Sequence, residues 1–146
     1  MALSISSTAF ENYGDIPARH TCDGEDVPPP LRWSGVPDGT KSLVLIVDDP
    51  DAPRGNWVHW VVVDLPPDST GIDGTLPRGA REGHNDFGRI GYGGPCPPSG
   101  THRYFFRLYA LDTKLPALTV PTRAQVEQAM VGHVLAEAAL IGRYQR

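Results

Sequence analysis

The sequence predicts a mainly β fold with one late helix, either an all-β sandwich with an added helix or an α+β arrangement. Three observations lead there. Three apolar, β-branched runs, SLVLIVDD at 42–49, WVHWVVVDL at 57–65 and HRYFFRLYAL at 102–111, are bounded by Pro and Gly clusters. The 16 Gly and 15 Pro follow no period, so they mark many turns rather than a fibrous repeat. Helical periodicity arises in one place, near the C-terminus.

Taken in order, short strands are expected near Leu3–Ser7 and Leu31–Trp33, before the three strong runs. After them, Pro121 precedes Thr122, and Thr122 with Gln125 forms a capping box. Val126, Ala129, Met130, His133, Val134, Ala138 and Ile141 then recur at three- and four-residue spacing, with Gly142 as the stop. This predicts a C-terminal amphipathic helix, covered on most sides. Gly132 inside it costs about 1 kcal/mol relative to Ala, so close packing against the sheet or a partner chain is expected there. No repeat or linker divides the 146 residues, which are read as one domain, 1–146.

The net charge of −4 argues against non-specific nucleic-acid binding, which wants a basic face. It does not exclude a small anion in a local pocket. No apolar run approaches the roughly 18 residues of a membrane span. The first residues, MALSISSTAFENYGD, have neither a basic region nor an apolar run of the signal-peptide kind, so a cytoplasmic location is the expectation. Cys22 and Cys96 lack C-x-x-C spacing; two reduced thiols are the default, and one bridge stays open.

Side chains alternate faces along a strand. On that basis Trp57, His59, Val61 and Val63 share one face, and His102, Tyr104, Phe106 and Leu108 share another. Each strand thus carries a histidine near its start among apolar neighbours. DDPDAP at 48–53 ends the preceding run with three acids, so Asp49 or Asp51 can point back to a histidine. A carboxylate there fixes the imidazole tautomer and favours its cation. Such histidines, a Tyr hydroxyl and backbone N–H groups of the stiff loop GYGGPCPPSG at 91–100 suit a phosphate or carboxylate. Two other chemistries are open. Cys96 and His102 could form a nucleophile and base, although Pro flanks Cys96 on both sides. His59, His102 and Asp49 could hold a metal. His20 and His84 sit in polar segments and are expected at the surface, and His133 is expected to pair with Glu137.

DPDAP at 49–53, WVHW at 57–60 and GYGGPCPPSGTHRY at 91–104 followed by FFRLYAL resemble the phosphatidylethanolamine-binding protein family, in its bacterial, Raf-kinase-inhibitor-like branch. TCDG at 21–24, PPLRWSGVP at 29–37 and AMVGHVLAEAALIGRY at 129–144 extend the resemblance over nearly the whole chain. It implies a β-sandwich of antiparallel sheets with peripheral helices, including a C-terminal helix, and an anion pocket at one end. Carried over, the pocket residues are Asp49, Asp51, His59, Gly94, Pro95, His102 and Tyr104. Parity turns Arg103 away, into a salt bridge. Family members carry cis peptide bonds near the pocket, which makes Ala52–Pro53 a candidate.

Pro28 stands where bacterial relatives usually have Ser, so the resemblance implies a hydroxyl lost beside the TCDG turn and an expected change at the pocket rim. The C-terminal extension of animal members has no counterpart, so lipid-headgroup binding and kinase control are expected to transfer poorly. The reading is a non-enzymatic module with no cofactor and no metal that binds a small phosphorylated or anionic group. It could regulate a kinase or protease partner and could form a homodimer. The alternative is a protease or kinase inhibitor that acts through surface loops such as 66–90.

Overall fold

The computed structural model describes residues 2–146. Nine strands and two short helices follow in the order β1 (Ser4–Ser6), β2 (Gly14–Asp15), a 3-10 turn (Ala18–His20), β3 (Leu31–Ser34), β4 (Ser42–Asp49), β5 (Trp57–Leu65), β6 (Gly71–Ile72), β7 (Arg81–Glu82), β8 (Thr101–Leu111), α1 (Arg123–Met130) and β9 (Val134–Gln145). They form a three-stranded sheet, β1-β3-β6, and a six-stranded sheet, β2-β9-β8-β4-β5-β7. The three apolar runs are the strands β4, β5 and β8 at the middle of the larger sheet. All pairings are antiparallel except that of β2 with β9, at Gly14 and Asp15.

The central strands β4 and β5 are apolar on both faces because each face is covered there. Leu43, Leu45, Val47, Trp60, Val62, Tyr104, Phe106 and Leu108 meet Leu3, Ile5, Leu31, Trp33 and Ile72 of the smaller sheet in the main core. Val44, Ile46, Val58, Val61 and Val63 point the other way and pack on Leu115 and on Val126 and Met130 of α1. Each fully buried Leu, Val or Phe side chain contributes about 1.5–3 kcal/mol. The result is a mainly β sandwich with one α-helix on its outer face.

The late helix begins as its cap predicts. Thr122 Oγ1 accepts from the Gln125 N–H at 3.3 Å, and the Gln125 side chain accepts from the Thr122 N–H at 3.0 Å. It stops at Met130, twelve residues before Gly142. Gly132 adopts φ +80°, a left-handed turn open to glycine and strained for other residues. The chain reverses there and runs out as β9, paired with β8 from Leu111↔Val134 to Thr101↔Gln145. The expected C-terminal helix is therefore a one-sided α1 followed by the longest strand of the fold. Ala136, Ala138, Leu140 and Tyr144 of β9 face the main core with the two-residue period of a strand.

Four smaller expectations also change. Cys22 and Cys96 are joined in a disulfide. No cis peptide bond is found among the described residues, so Ala52–Pro53 is trans. His20 is buried rather than at the surface, its Nδ1 donating to the Val27 carbonyl at 3.0 Å. His133 pairs with Asp112 instead of Glu137.

Candidate functional site

Antiparallel neighbours bring the end of β4, the start of β5 and the start of β8 to one end of the sandwich. There a cavity of about 190 Å³ is lined by Asp49, Ala52, Pro53, Trp57, His59, Phe87, Cys96, Pro97, Pro98, His102 and Tyr104. It is smaller than the usual few-hundred-Å³ ligand cleft, so it suits a small group.

On β8, parity holds: His102 and Tyr104 point inward, and Arg103 points out. On β5 it breaks. Asp48 pairs with Val58 and Val47 with Trp60, which leaves His59 as the extra residue of a β-bulge. His59 therefore shares the core-facing side with Trp60 and Val62, while Val61 and Val63 face α1. The bulge aims the imidazole into the cavity.

Both imidazoles are held by Nδ1. His59 Nδ1–H donates to the Gly93 carbonyl at 2.6 Å, and the Gly93 N–H donates back to the His59 carbonyl at 2.9 Å. A carbonyl only accepts, so this contact fixes the neutral tautomer with Nε2 bare. Burial pushes the His59 pKa below its ordinary value, against the weaker pull of the Gly93 bond and of Asp49. Phe87 and Tyr104 meet the His59 ring edge-to-face, each with centroids 5.2 Å away. His102 Nδ1 donates to Asp49 Oδ2 at 2.7 Å. The second oxygen, Asp49 Oδ1, accepts from the Asp51 N–H at 2.8 Å.

The Tyr104 hydroxyl is buried and has no hydrogen-bond partner among the described residues. Burial pushes its pKa well above the phenol range, so it stays an O–H donor. A buried hydroxyl left without an acceptor is unfavourable by about 1–3 kcal/mol, which a ligand oxygen would offset.

The other expected site residues lie beside the cavity. Asp51 faces away and binds Arg103 through its backbone N–H, Nε and Nη2, each at 2.9 Å. That guanidinium holds the Asp51 carboxyl below the usual range. The Gly94 N–H donates to Asp26 Oδ1 at 2.8 Å and has no proton left for a ligand. A side chain at Gly94 would collide with the Asp26 carboxylate and the His20 carbonyl. The Pro95 carbonyl accepts from the Cys22 N–H at 3.1 Å. Gly94 and Pro95 thus clamp the loop 91–98 onto the turn 20–26, assisted by Tyr92 Oη donating to the His20 carbonyl at 2.6 Å and by the Cys22–Cys96 bond.

The motif reading missed Phe87, which covers His59 and Trp57 from the polar segment 81–90. A lone aromatic in a polar loop was the available signal. It also missed Asp26 as the anchor of Gly94. The Cys96–His102 pair has no thiol, because Cys96 is in the disulfide. Among the described residues no cluster of three or more His, Cys, Asp or Glu is placed to hold a metal ion. No helix among them is long and apolar enough to cross a membrane.

The fold and this geometry define a β-sandwich with a small, partly aromatic pocket at one end. The sequence model of the family described as phosphatidylethanolamine-binding protein matches residues 6–145. The chain belongs to that family. It is 55% identical to a UPF0098 protein of Methanothermobacter thermautotrophicus, with 99% of each chain covered. Among solved structures, a phosphatidylethanolamine-binding protein homologue of Chlamydia trachomatis, CT736, superposes with a TM-score of 0.94 at 42% identity, covering 99% of this chain and 98% of that one. Escherichia coli YbcL, described as a member of the mammalian family, gives 0.91 at 37% identity, covering 100% and 99%.

Proposed function

We propose that this protein binds a small phosphorylated or other anionic group in the end cavity, without transforming it. The observation that carries the reading is the buried Tyr104 hydroxyl, which has no partner among the described residues and belongs to the cavity lining with two imidazoles tied by Nδ1. A ligand placed between them would accept from Tyr104 Oη through one oxygen and present its other oxygens to the two imidazoles. Trp57, Phe87 and the prolines 53, 97 and 98 would exclude water around it. In such surroundings each hydrogen bond gains strength. A phosphorylated side chain or a headgroup has the required oxygens. A phosphorylated kinase or protease held through that group would be the route to regulating a partner.

The alternative of an inhibitory loop at 66–90 finds less support. Ser69 accepts from Trp33 Nε1, Glu82 accepts from Trp60 Nε1, and Arg81 pairs with Asp64. These bonds tie the segment to the body of the fold.

The test is an NMR titration with phosphate and phosphoserine, using wild type, Tyr104→Phe and His102→Ala. Saturable shifts at Asp49, His59 and His102, lost in His102→Ala, are expected. Tyr104→Phe should keep the wild-type stability or gain slightly, while affinity falls by about tenfold for the lost hydrogen bond. No saturable shift at millimolar ligand overturns the reading.

A further inference from the structure

We propose that this pocket selects an oxyanion that still carries a proton, a phosphomonoester monoanion, and rejects one that has no proton to give, such as a sulfate ester. The inference rests on the anion reading above and adds to it what His59 demands.

The demand comes from the reciprocal bonds between His59 and Gly93. His59 Nδ1–H is committed to the Gly93 carbonyl at 2.6 Å, and the backbone bond in the other direction holds that carbonyl in place. Turning the ring over would abandon that buried bond and put a carbon where the Gly93 carbonyl needs a donor. The neutral ring therefore offers the cavity a lone pair at Nε2. A deprotonated ligand oxygen meets that lone pair with repulsion; a P–OH donates to it. Burial, which holds the ring neutral, acts in the same direction.

Charge balance agrees. From β4, Asp49 brings a buried carboxylate to the pocket, and Asp48 lies behind it on the other face of the sheet. From β8 come His102 and the Tyr104 phenol. From the segment 85–93 come Asp86, which is taken by the Val58 N–H, and Arg89, whose guanidinium lies over Phe87. Arg103, the cation next in sequence to His102, is turned outward onto Asp51. No arginine or lysine lines the cavity to balance a dianion beside Asp49. A monoanion with one acidic proton serves both neutral groups: it accepts from Tyr104 Oη and donates to His59 Nε2, with His102 beside it.

Methyl phosphate and methyl sulfate test this, because they share shape and differ in whether the monoanion keeps a proton. The second pKa of a phosphomonoester is about 6. NMR titrations of the wild type at pH 6.5, with methyl phosphate counted as its monoanion, should show it binding at least about tenfold more tightly than methyl sulfate, the scale of one lost buried hydrogen bond. Above pH 7 the affinity for methyl phosphate should fall about tenfold per pH unit, as the monoanion disappears. In His59→Gln, whose amide can turn a donor to the ligand, the gap should narrow to within about threefold. Equal affinities for the two esters in the wild type overturn the proposal and leave the anion pocket standing. An unchanged gap in His59→Gln overturns the assignment to His59. Binding of neither ester overturns the pocket reading itself.

Discussion

Asp48 and Asp49 are adjacent in sequence and buried, yet the pleat of β4 sends them to opposite faces. Asp49 anchors His102 in the pocket. Asp48 receives Arg107 Nε and Arg123 Nη2, each at 3.1 Å, and Asn56 Nδ2 at 3.1 Å. Breaking such a buried pair leaves charges uncompensated. Both guanidinium groups are partly exposed, so water can reach them. Asp48→Ala should therefore cost about 3 kcal/mol, the low end of the range for buried pairs, with ligand affinity unchanged. Urea unfolding beside a phosphate titration checks both halves, and an equal loss of affinity would show the two faces to be coupled. His59 gives a second prediction, with its sign set by burial. Its folded pKa lies below the ordinary histidine value of about 6.5, so the unfolded chain takes up a proton first as pH falls. Its contribution to stability is whole above about pH 6.5 and declines as pH drops toward the folded value. The difference in melting temperature between wild type and His59→Gln, followed from pH 8 to pH 5, should shift against the wild type on the acid side. A difference that stays flat would contradict the neutral assignment. These residues were only partly legible. Alternation placed His102, Tyr104 and Arg103, because β8 is regular there. It failed for Val61 and Val63, because a bulge is set by strand pairing and leaves no local mark.

At the scale of elements, the clearest contrast lies between α1 and β9. The capping box was legible because its hydrogen bonds are local. The strand β9 was not, since VLAEAALIGRYQ is built largely of helix formers and its spacing mimics an amphipathic helix. What decides its conformation is β8, separated from it along the chain by α1 but adjacent in the sheet, together with the turn at Gly132. Tertiary pairing overrides propensity of a few tenths of a kcal/mol per residue. The loop 91–98 shows the same principle. Its stiffness was legible in its Gly and Pro content, but its partner, the turn 20–26, lies 74 residues away by the Cys22–Cys96 separation. A bridge over that length contributes about 4 kcal/mol through loop closure. Reduction, or paired Cys22→Ser and Cys96→Ser, should lower the melting temperature by roughly 10 °C in a chain of this size. Because Cys96, Pro97 and Pro98 form one cavity wall, affinity for a phosphate ester should fall as well. Thermal melts with and without reductant, each repeated with ligand, separate the two effects. Unchanged affinity after reduction would mean that the three remaining clamps, at Tyr92, Gly94 and Pro95, hold the wall without the bridge.

For the whole molecule, antiparallel order is what makes the pocket. The end of β4 and the starts of β5 and β8 must meet at one end of the sandwich, so residues 49–59, Phe87 and residues 96–104 converge from separate parts of the chain. A ligand held there joins three central strands and the clamped loop, and it binds the folded chain alone. Its free energy of binding is thus added to global stability. At a ligand concentration a hundred times Kd the gain is about 2.7 kcal/mol, which corresponds to a rise of about 8 °C. The rise should also carry the pocket's proton requirement. With methyl phosphate at fixed total concentration, it should be largest near pH 6 and shrink toward pH 8, as the protonated ester becomes scarce. Tyr104→Phe should melt near the wild type without ligand, His102→Ala should melt lower because it leaves the buried Asp49 unpaired, and both should show a smaller rise with ligand. Differential scanning calorimetry over that pH range measures both quantities in the same protein. A rise of equal size in His102→Ala, or one that ignores pH, would place the stabilising anion elsewhere on the surface, where charge screening rather than the end pocket would account for it.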